Sequence, residues 1–241
     1  MRRPTIMNAE RQLFWDGCFN TRDLGGLRTA DGRETRRGAV VRSDDPAGLT
    51  AEGWTSLQRH GVRTIVDLTG GDSSTAQRPA GLTGVAVELD DHSDTEFWTR
   101  WDNALSCTPL YYRAFLDRFP QKVAEVLTAI AAAEPGGVLV HCSSGRDRTG
   151  LISLVLLAAV GVGASDIAAD YALTHVRRAE LCAAAGLPDD TPRVHGLIAE
   201  HGTSESEVIA DAVGSRDMAA YLRSAGVTAE HLAALRDRML T

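Results

Sequence analysis

A short apolar run, Gly137-Val138-Leu139-Val140-His141, is followed by HCSSGRDRTG at His141 to Gly150 and then by a longer apolar run, Leu151 to Val160. The first run suits a buried strand ending at Cys142, and the second is long enough for a core helix, so the segment predicts strand, loop and helix in succession. A compact loop that enters a helix turns successive backbone N–H groups inward, where they and the helix dipole favour an anion of phosphate geometry. Gly145 eases the turn. Arg148, six positions after Cys142, offers a planar fork to two phosphoryl oxygens that lysine cannot imitate. Cys142 then lies beneath the phosphorus. An electropositive concavity favours the thiolate, which attacks phosphorus without a base.

Cys142-x5-Arg148 matches the signature of cysteine-dependent phosphatases, and the longer string resembles the bacterial PtpB-like group of atypical tyrosine phosphatases. Asn20-Thr21-Arg22-Asp23-Leu24-Gly25-Gly26 is similar to a segment of that group, and Arg42-Ser43, Val66-Asp67-Leu68 and Ala220 to Thr228 follow in its order. Nearly the whole chain is covered. The sequence departs at Thr21, where the group has an aromatic residue, at Thr69, where arginine is common, and at Arg146, which is often lysine. The resemblance implies the fold and chemistry more firmly than it implies substrate contacts.

Catalytic expectations centre on Cys142, Arg148 and Asp147. The resemblance implies that Asp147 protonates the leaving oxygen; the bare sequence equally offers it as a helix N-cap. Asp90-Asp91-His92 is either a donor brought by a lid or a solvated turn. Ser143, Ser144, Gly145, Arg146 and Thr149 complete the expected phosphate-binding set. Thr149 is expected to hydrogen-bond the Cys142 sulfur. Arg146 is expected at the mouth, as a solvated charge or as a second contact for a polyanion such as an inositol phosphate. Arg22, Asp23, Asp67 and His141 are expected in support, with Asp67 ending a strand and pairing an arginine such as Arg22. His141 holds the loop in the resembled group. Cys18, Cys107 and Cys182 read as small buried hydrophobes or ordinary thiols.

Candidate strands are Ala39–Arg42, Thr64–Leu68, Val85–Leu89 and Val138–His141, interleaved with helical stretches near 50–60 and 109–133. This alternation predicts an α/β fold with a mainly parallel central sheet flanked by helices, the loop lying at a strand's carboxyl end. Residues 165–241 read as a helical cap within one domain of 1–241. Phe97, Trp98 and Trp101 share one helical face in the 90–109 segment, which is either a lid or a core-packing helix. Gly70 to Gly81 reads as a flexible loop.

The 241 residues, 44% apolar, suffice for one sizeable core. A formal charge of -7 argues against a nucleic-acid partner. Lys122 is the single lysine beside 24 arginines, a sign of a GC-rich genome. Met1 to Asn8 is not followed by an apolar signal core, and no apolar run reaches the ~18 residues of a membrane span. The chain is therefore expected in the cytoplasm, with the unorthodox export known among relatives left open. No internal repeat, metal cluster or dinucleotide fingerprint is found; no cofactor is expected, and the oligomeric state is open.

The expected activity is a metal-independent phosphomonoesterase working through a phosphocysteine intermediate. Phosphotyrosine proteins lead among its substrates, with phosphoinositides and small sugar or nucleoside phosphates as alternatives. A phosphate-binding or redox-sensing module is the non-enzymic alternative.

Overall fold

The structure, a computed structural model, describes residues 10–71, 78–101, 104–214 and 216–241. Half of the expected loop at Gly70 to Gly81, residues 72–77, and the reading of Met1 to Asn8 lie outside the described residues.

Five strands form one sheet: β1 Arg22–Asp23, β2 Val40–Ser43, β3 Val62–Asp67, β4 Thr83–Ala86 and β5 Gly137–His141. Their order is β1-β2-β5-β3-β4, and every pairing is parallel except β1 with β2. The fold is α/β, as expected. β1 escaped the sequence reading because two residues are too short to show alternation. The strand expected at Val85–Leu89 ends three residues sooner, at Ala86.

All five residues of β5 are buried because alternate side chains enter two separate cores. Val138 and Val140 join Val40 and Val66 on one face, while Leu139 joins Val41 and Ile65 on the other. The second core is closed by Trp15, Trp54 and Leu57, the last two on α1 (Ala51–Arg59). The first and larger core takes α2 (Thr95–Trp101), α3 (Tyr112–Arg118), α4 (Pro120–Ala132) and α5 (Asp147–Ala159). The single helical stretch expected at 109–133 is broken at Phe119, because Pro120 cannot continue a helix and instead begins the next one.

The C-terminal part is helical throughout: α6 (Ala164–Ala172), α7 (Arg178–Ala184), α8 (Thr191–Glu200), α9 (Glu205–Gly214), α10 (Met218–Ser224) and α11 (Ala229–Met239). It does more than cap. Leu222, Leu235 and Met239 are buried in the main core, and the Tyr221 hydroxyl donates to the Leu116 carbonyl at 2.8 Å. Among the described residues no helix is long and apolar enough to cross a membrane.

Parallel register sets the site. Ser43 and Asp67 both stand opposite His141, so Asp44, Leu68 and Cys142 leave the sheet side by side at its carboxyl edge.

Candidate active site

Cys142 follows β5 and is buried, and the chain turns through Ser143, Ser144, Gly145 and Arg146 into α5. Gly145 has φ +65°, and a Cβ there would lie 2.5 Å from the Ser43 carbonyl oxygen, so the turn needs glycine twice over.

Every carbonyl of this loop accepts a bond from outside it. His141 donates Nδ1–H to the Cys142 carbonyl at 3.3 Å, which fixes its tautomer. The Asp45 amide donates to Ser143 O at 3.1 Å, and Asn20 Nδ2 to Ser144 O at 3.0 Å. Arg42 donates to Gly145 O at 2.6 Å; Arg146 O accepts from Gly150 N at 2.8 Å and from the Tyr112 hydroxyl at 3.3 Å. With the carbonyls turned away, the N–H groups of Ser143 to Arg148 have no acceptor among the described residues. That is the arrangement an anion completes.

Behind the loop Arg11, Arg22 and Arg42, each 1% exposed, share Asp170 of α6, itself 2% exposed. Burial pushes the Asp170 carboxyl up, but Arg22, Arg11 and Arg42 together overcome this and hold it well below the usual carboxylate range. Arg22 also donates to Asn20 Oδ1 at 2.9 Å, linking Asp170 through Arg22 and Asn20 to the loop. Arg22 therefore pairs with Asp170 rather than with Asp67. Asp67 instead accepts from the amide and hydroxyl of Thr69, at 2.8 and 2.7 Å. Asp23 lies off the site, holding the amides of Gly25 and Gly38 at 2.7 Å each and the His60 ring at 2.9 Å.

In front of the loop lies a cavity of about 450 Å³ whose walls include Cys142, Arg148, Asp147, Asp90, Trp98 and Tyr111. Ser143, Ser144 and Arg146 also line it. Arg146 is not a solvated charge at the mouth. It is 2% exposed and bonded to Asp147 at 3.2 Å and Asp190 at 3.0 Å, because Asp190 returns over the loop ahead of α8. Arg178 also pairs with Asp190, at 2.8 Å. Arg148 Nε stands 3.6 Å from Asp90 Oδ2.

Two carboxyls face this cavity in surroundings that favour the acid form. Burial pushes Asp147 up against the opposing pull of Arg146, and burial likewise pushes Asp90 up against Arg148. Asp147 is the first residue of α5, not its N-cap; Arg146 occupies the cap without a side-chain cap bond. Asp90 is buried, with Oδ1 unpartnered among the described residues, so its part of the 90–92 cluster is no solvated turn. Thr149 is fully buried and makes no hydrogen bond to the Cys142 sulfur; its hydroxyl has no partner among the described residues. Burial lowers the pKa of His141, which keeps the ring neutral and consistent with a holding position.

In the 90–109 segment, Phe97 packs edge-on to Phe115 and Phe119, while Trp98 reaches the cavity wall with its indole N–H on Asp91 O at 2.8 Å. Cys18 and Cys182 are buried, as small hydrophobes are, but Cys107 also lines the cavity.

Sequence reasoning missed Asp170, Arg11, Asp190 and Arg178. One signal was available for Asp170: a charged residue on the otherwise apolar inner face of a helix, between Ile167, Ala168 and Tyr171.

The family described as Tyrosine phosphatase family matches residues 13–241. A Cupriavidus necator protein carrying a tyrosine-protein phosphatase name is 33% identical over 183 residues, 72% of this chain and 67% of its own length. The triple specificity protein phosphatase PtpB of Mycobacterium tuberculosis is 27% identical over 95% of this chain and 88% of its own. A tyrosine-protein phosphatase of Nostoc commune is 26% identical over 83% of this chain and 74% of its own. With loop, sheet edge and cavity arranged as above, the chain belongs to the Tyrosine phosphatase family, on its PtpB-like branch, and is a phosphatase.

Proposed function

We propose that this phosphatase works through a phosphocysteine intermediate, with no metal in the chemical step, and that phosphotyrosine on proteins is its leading substrate. The observation that carries the reading is the row of outward-tied carbonyls, which leaves six successive N–H groups, Ser143 to Arg148, for a phosphoryl group.

In this mechanism the Cys142 thiolate attacks phosphorus and the P–O ester bond breaks. Arg148 and the loop amides hold the equatorial oxygens as charge shifts onto them. Asp147 protonates the departing oxygen, then takes a proton from the water that cleaves the P–S bond and restores the thiolate. His141 and Arg22 hold the loop. Trp98 and Tyr111 on the cavity wall suit an aromatic ring on the phosphate ester.

A second reading gives the acid to Asp90. Its unpartnered Oδ1 and raised pKa favour it, and a protonated Asp90 also spares the incoming dianion a facing carboxylate.

Phosphate release without added metal, by wild type and Cys142→Ser, tests the mechanism on phosphotyrosine and phosphoserine peptides, a phosphoinositide, and sugar and nucleoside monophosphates. Cys142→Ser is expected to lose turnover yet still bind the ester; turnover that survives the substitution overturns the mechanism. Fast release from the phosphotyrosine peptide supports the substrate reading, whereas good turnover of one small metabolite alone would replace it.

The acid is identified by leaving group and pH. Because both carboxyls are pushed up, the proton-donating form persists above the ordinary aspartate range, and alkyl phosphate turnover falls as pH rises through the acid's pKa. Replacing the acid by asparagine should cost about 10²- to 10⁴-fold on alkyl phosphates, less on nitrophenyl phosphate, and remove that pH limb. Asp147→Asn showing this supports the first reading; Asp90→Asn alone showing it supports the second.

A further inference from the structure

Away from the loop cavity, the C-terminal helices bring together three metal-binding side chains that are distant in sequence. His175 ends the 3₁₀ turn Leu173–His175 behind α6, His195 lies on the exposed face of α8, and Glu205 opens α9. One ring nitrogen of each histidine and one Glu205 oxygen lie within 4.8 Å of one another. His175 Nε2 is 2.7 Å from Glu205 Oε2, and the two imidazoles meet edge-on, centroids 4.8 Å apart at 72°. His175 Nδ1 is buried and without a partner among the described residues. Ala172, Ile198 and Ser204 help line an adjoining cavity of about 460 Å³ that His195 and Glu205 also enter.

An ordinary ion pair accounts for His175 and Glu205. It does not account for a second imidazole that brings a ring nitrogen within 4.8 Å of the same pair. We propose that His175, His195 and Glu205 form a binding site for a divalent transition metal of the zinc class, separate from the Cys142 site.

The donor set fits that class. Two imidazoles and one carboxylate suit zinc, cobalt or nickel, whereas magnesium and calcium take oxygen ligands. Three protein ligands leave a fourth position that water from the adjoining cavity fills. Ligand atoms around a tetrahedral zinc, each at ~2.0 Å, stand roughly 3.3 Å apart. Binding therefore opens the His175–Glu205 contact slightly and draws in His195, whose exposed ring is free to turn. The cation replaces the proton between His175 and Glu205, and that proton goes to solvent.

The consequence is mechanical. The ion ties α8 and α9 to the end of α6, next to Thr174, whose hydroxyl accepts from Arg22 at 3.2 Å and Arg42 at 3.3 Å behind the loop. It supplies no group to the reaction at Cys142, so the proposal stands apart from the catalytic reading.

The test is titration of the chelator-stripped full chain with Co²⁺ and Zn²⁺. One Co²⁺ per chain is expected, giving visible ligand-field bands without thiolate charge-transfer absorption. Zn²⁺ displaces it and raises the melting temperature; Mg²⁺ does neither. His195→Ala, on an exposed helix face, and Glu205→Gln should each abolish the bands and the shift while keeping wild-type circular dichroism. Binding that survives both substitutions, a thiolate charge-transfer band, or no saturable binding below millimolar metal overturns the proposal.

Discussion

Two groups of arginines flank the loop, and they differ in how many carboxylates they have. Behind it, Arg11, Arg22 and Arg42 share Asp170 alone. In front, Arg146, Arg148 and Arg178 face Asp147, Asp90 and Asp190, one carboxylate for each guanidinium. The rear group keeps its surplus positive charge where no substrate reaches, so it acts by pinning the loop and by its field. The front group borders the cavity, and two of its carboxyls, Asp147 and Asp90, are pushed by burial toward the acid form, so an incoming dianion meets guanidiniums whose partners readily give up their charge. One residue type thus serves as framework on one side and as a receptor on the other.

The largest effect should come from Asp170→Asn. Removing the shared carboxylate leaves three buried guanidiniums uncompensated, a loss of about 3–5 kcal/mol that a denaturant melt will read. The pH dependence follows from the depressed pKa. Stability from Asp170 is fully present above its unfolded value, near 3.8, and is lost as pH falls below it, so wild type and variant converge in acid. A melt unchanged at neutral pH would remove the rear group's framework role.

Arg148→Ala should act oppositely, lowering turnover by about 10²- to 10³-fold and weakening ester binding, with little change in the melt. Arg148 is a quarter exposed, and its contact to Asp90, at 3.6 Å, is long. If this variant melts as low as Asp170→Asn, the division between front and rear fails.

The smallest effect belongs to Asp190→Asn, which releases Arg178 and leaves Arg146 held by Asp147 alone. Stability should fall by about 1–3 kcal/mol. With Arg178 freed and Arg146 loosened, KM for anionic substrates should drop roughly two- to fivefold while kcat holds. A rise in KM would instead show that Asp190 positions Arg146 for substrate.

The strand–loop–helix segment was legible because its signals are local: an apolar strand, Gly145 at the turn, a cysteine and an arginine at fixed spacing, and an apolar helix. The parallel sheet followed from the alternation of strands and helices. The framework behind the loop was not legible, since the contacts of Arg22 and Arg11 with Asp170 span 148 and 159 residues. No short-range pattern specifies which carboxylate a buried arginine meets. The same distance misassigned Arg22 to Asp67 and put Arg146 in solvent, because its partner Asp190 follows 44 residues later in what read as a polar break. His175, His195 and Glu205 went unseen as a cluster for the same reason: three helical elements bring them together.

The loop's carbonyls are held by the imidazole of the adjoining His141 and, from elsewhere in the chain, by a backbone amide, a carboxamide, a guanidinium and a phenol. None of these anchors involves the side chains of Ser143 or Ser144. Substitution at those two positions therefore leaves the anchors of the loop in place. Changes there alter what the mouth admits while the phosphate cradle keeps its shape, so new substrate preferences can arise without refolding the catalytic centre. Gly145, pressed against the Ser43 carbonyl, has no such latitude, and variation between Cys142 and the glycine should be tolerated at Ser143 and Ser144 alone.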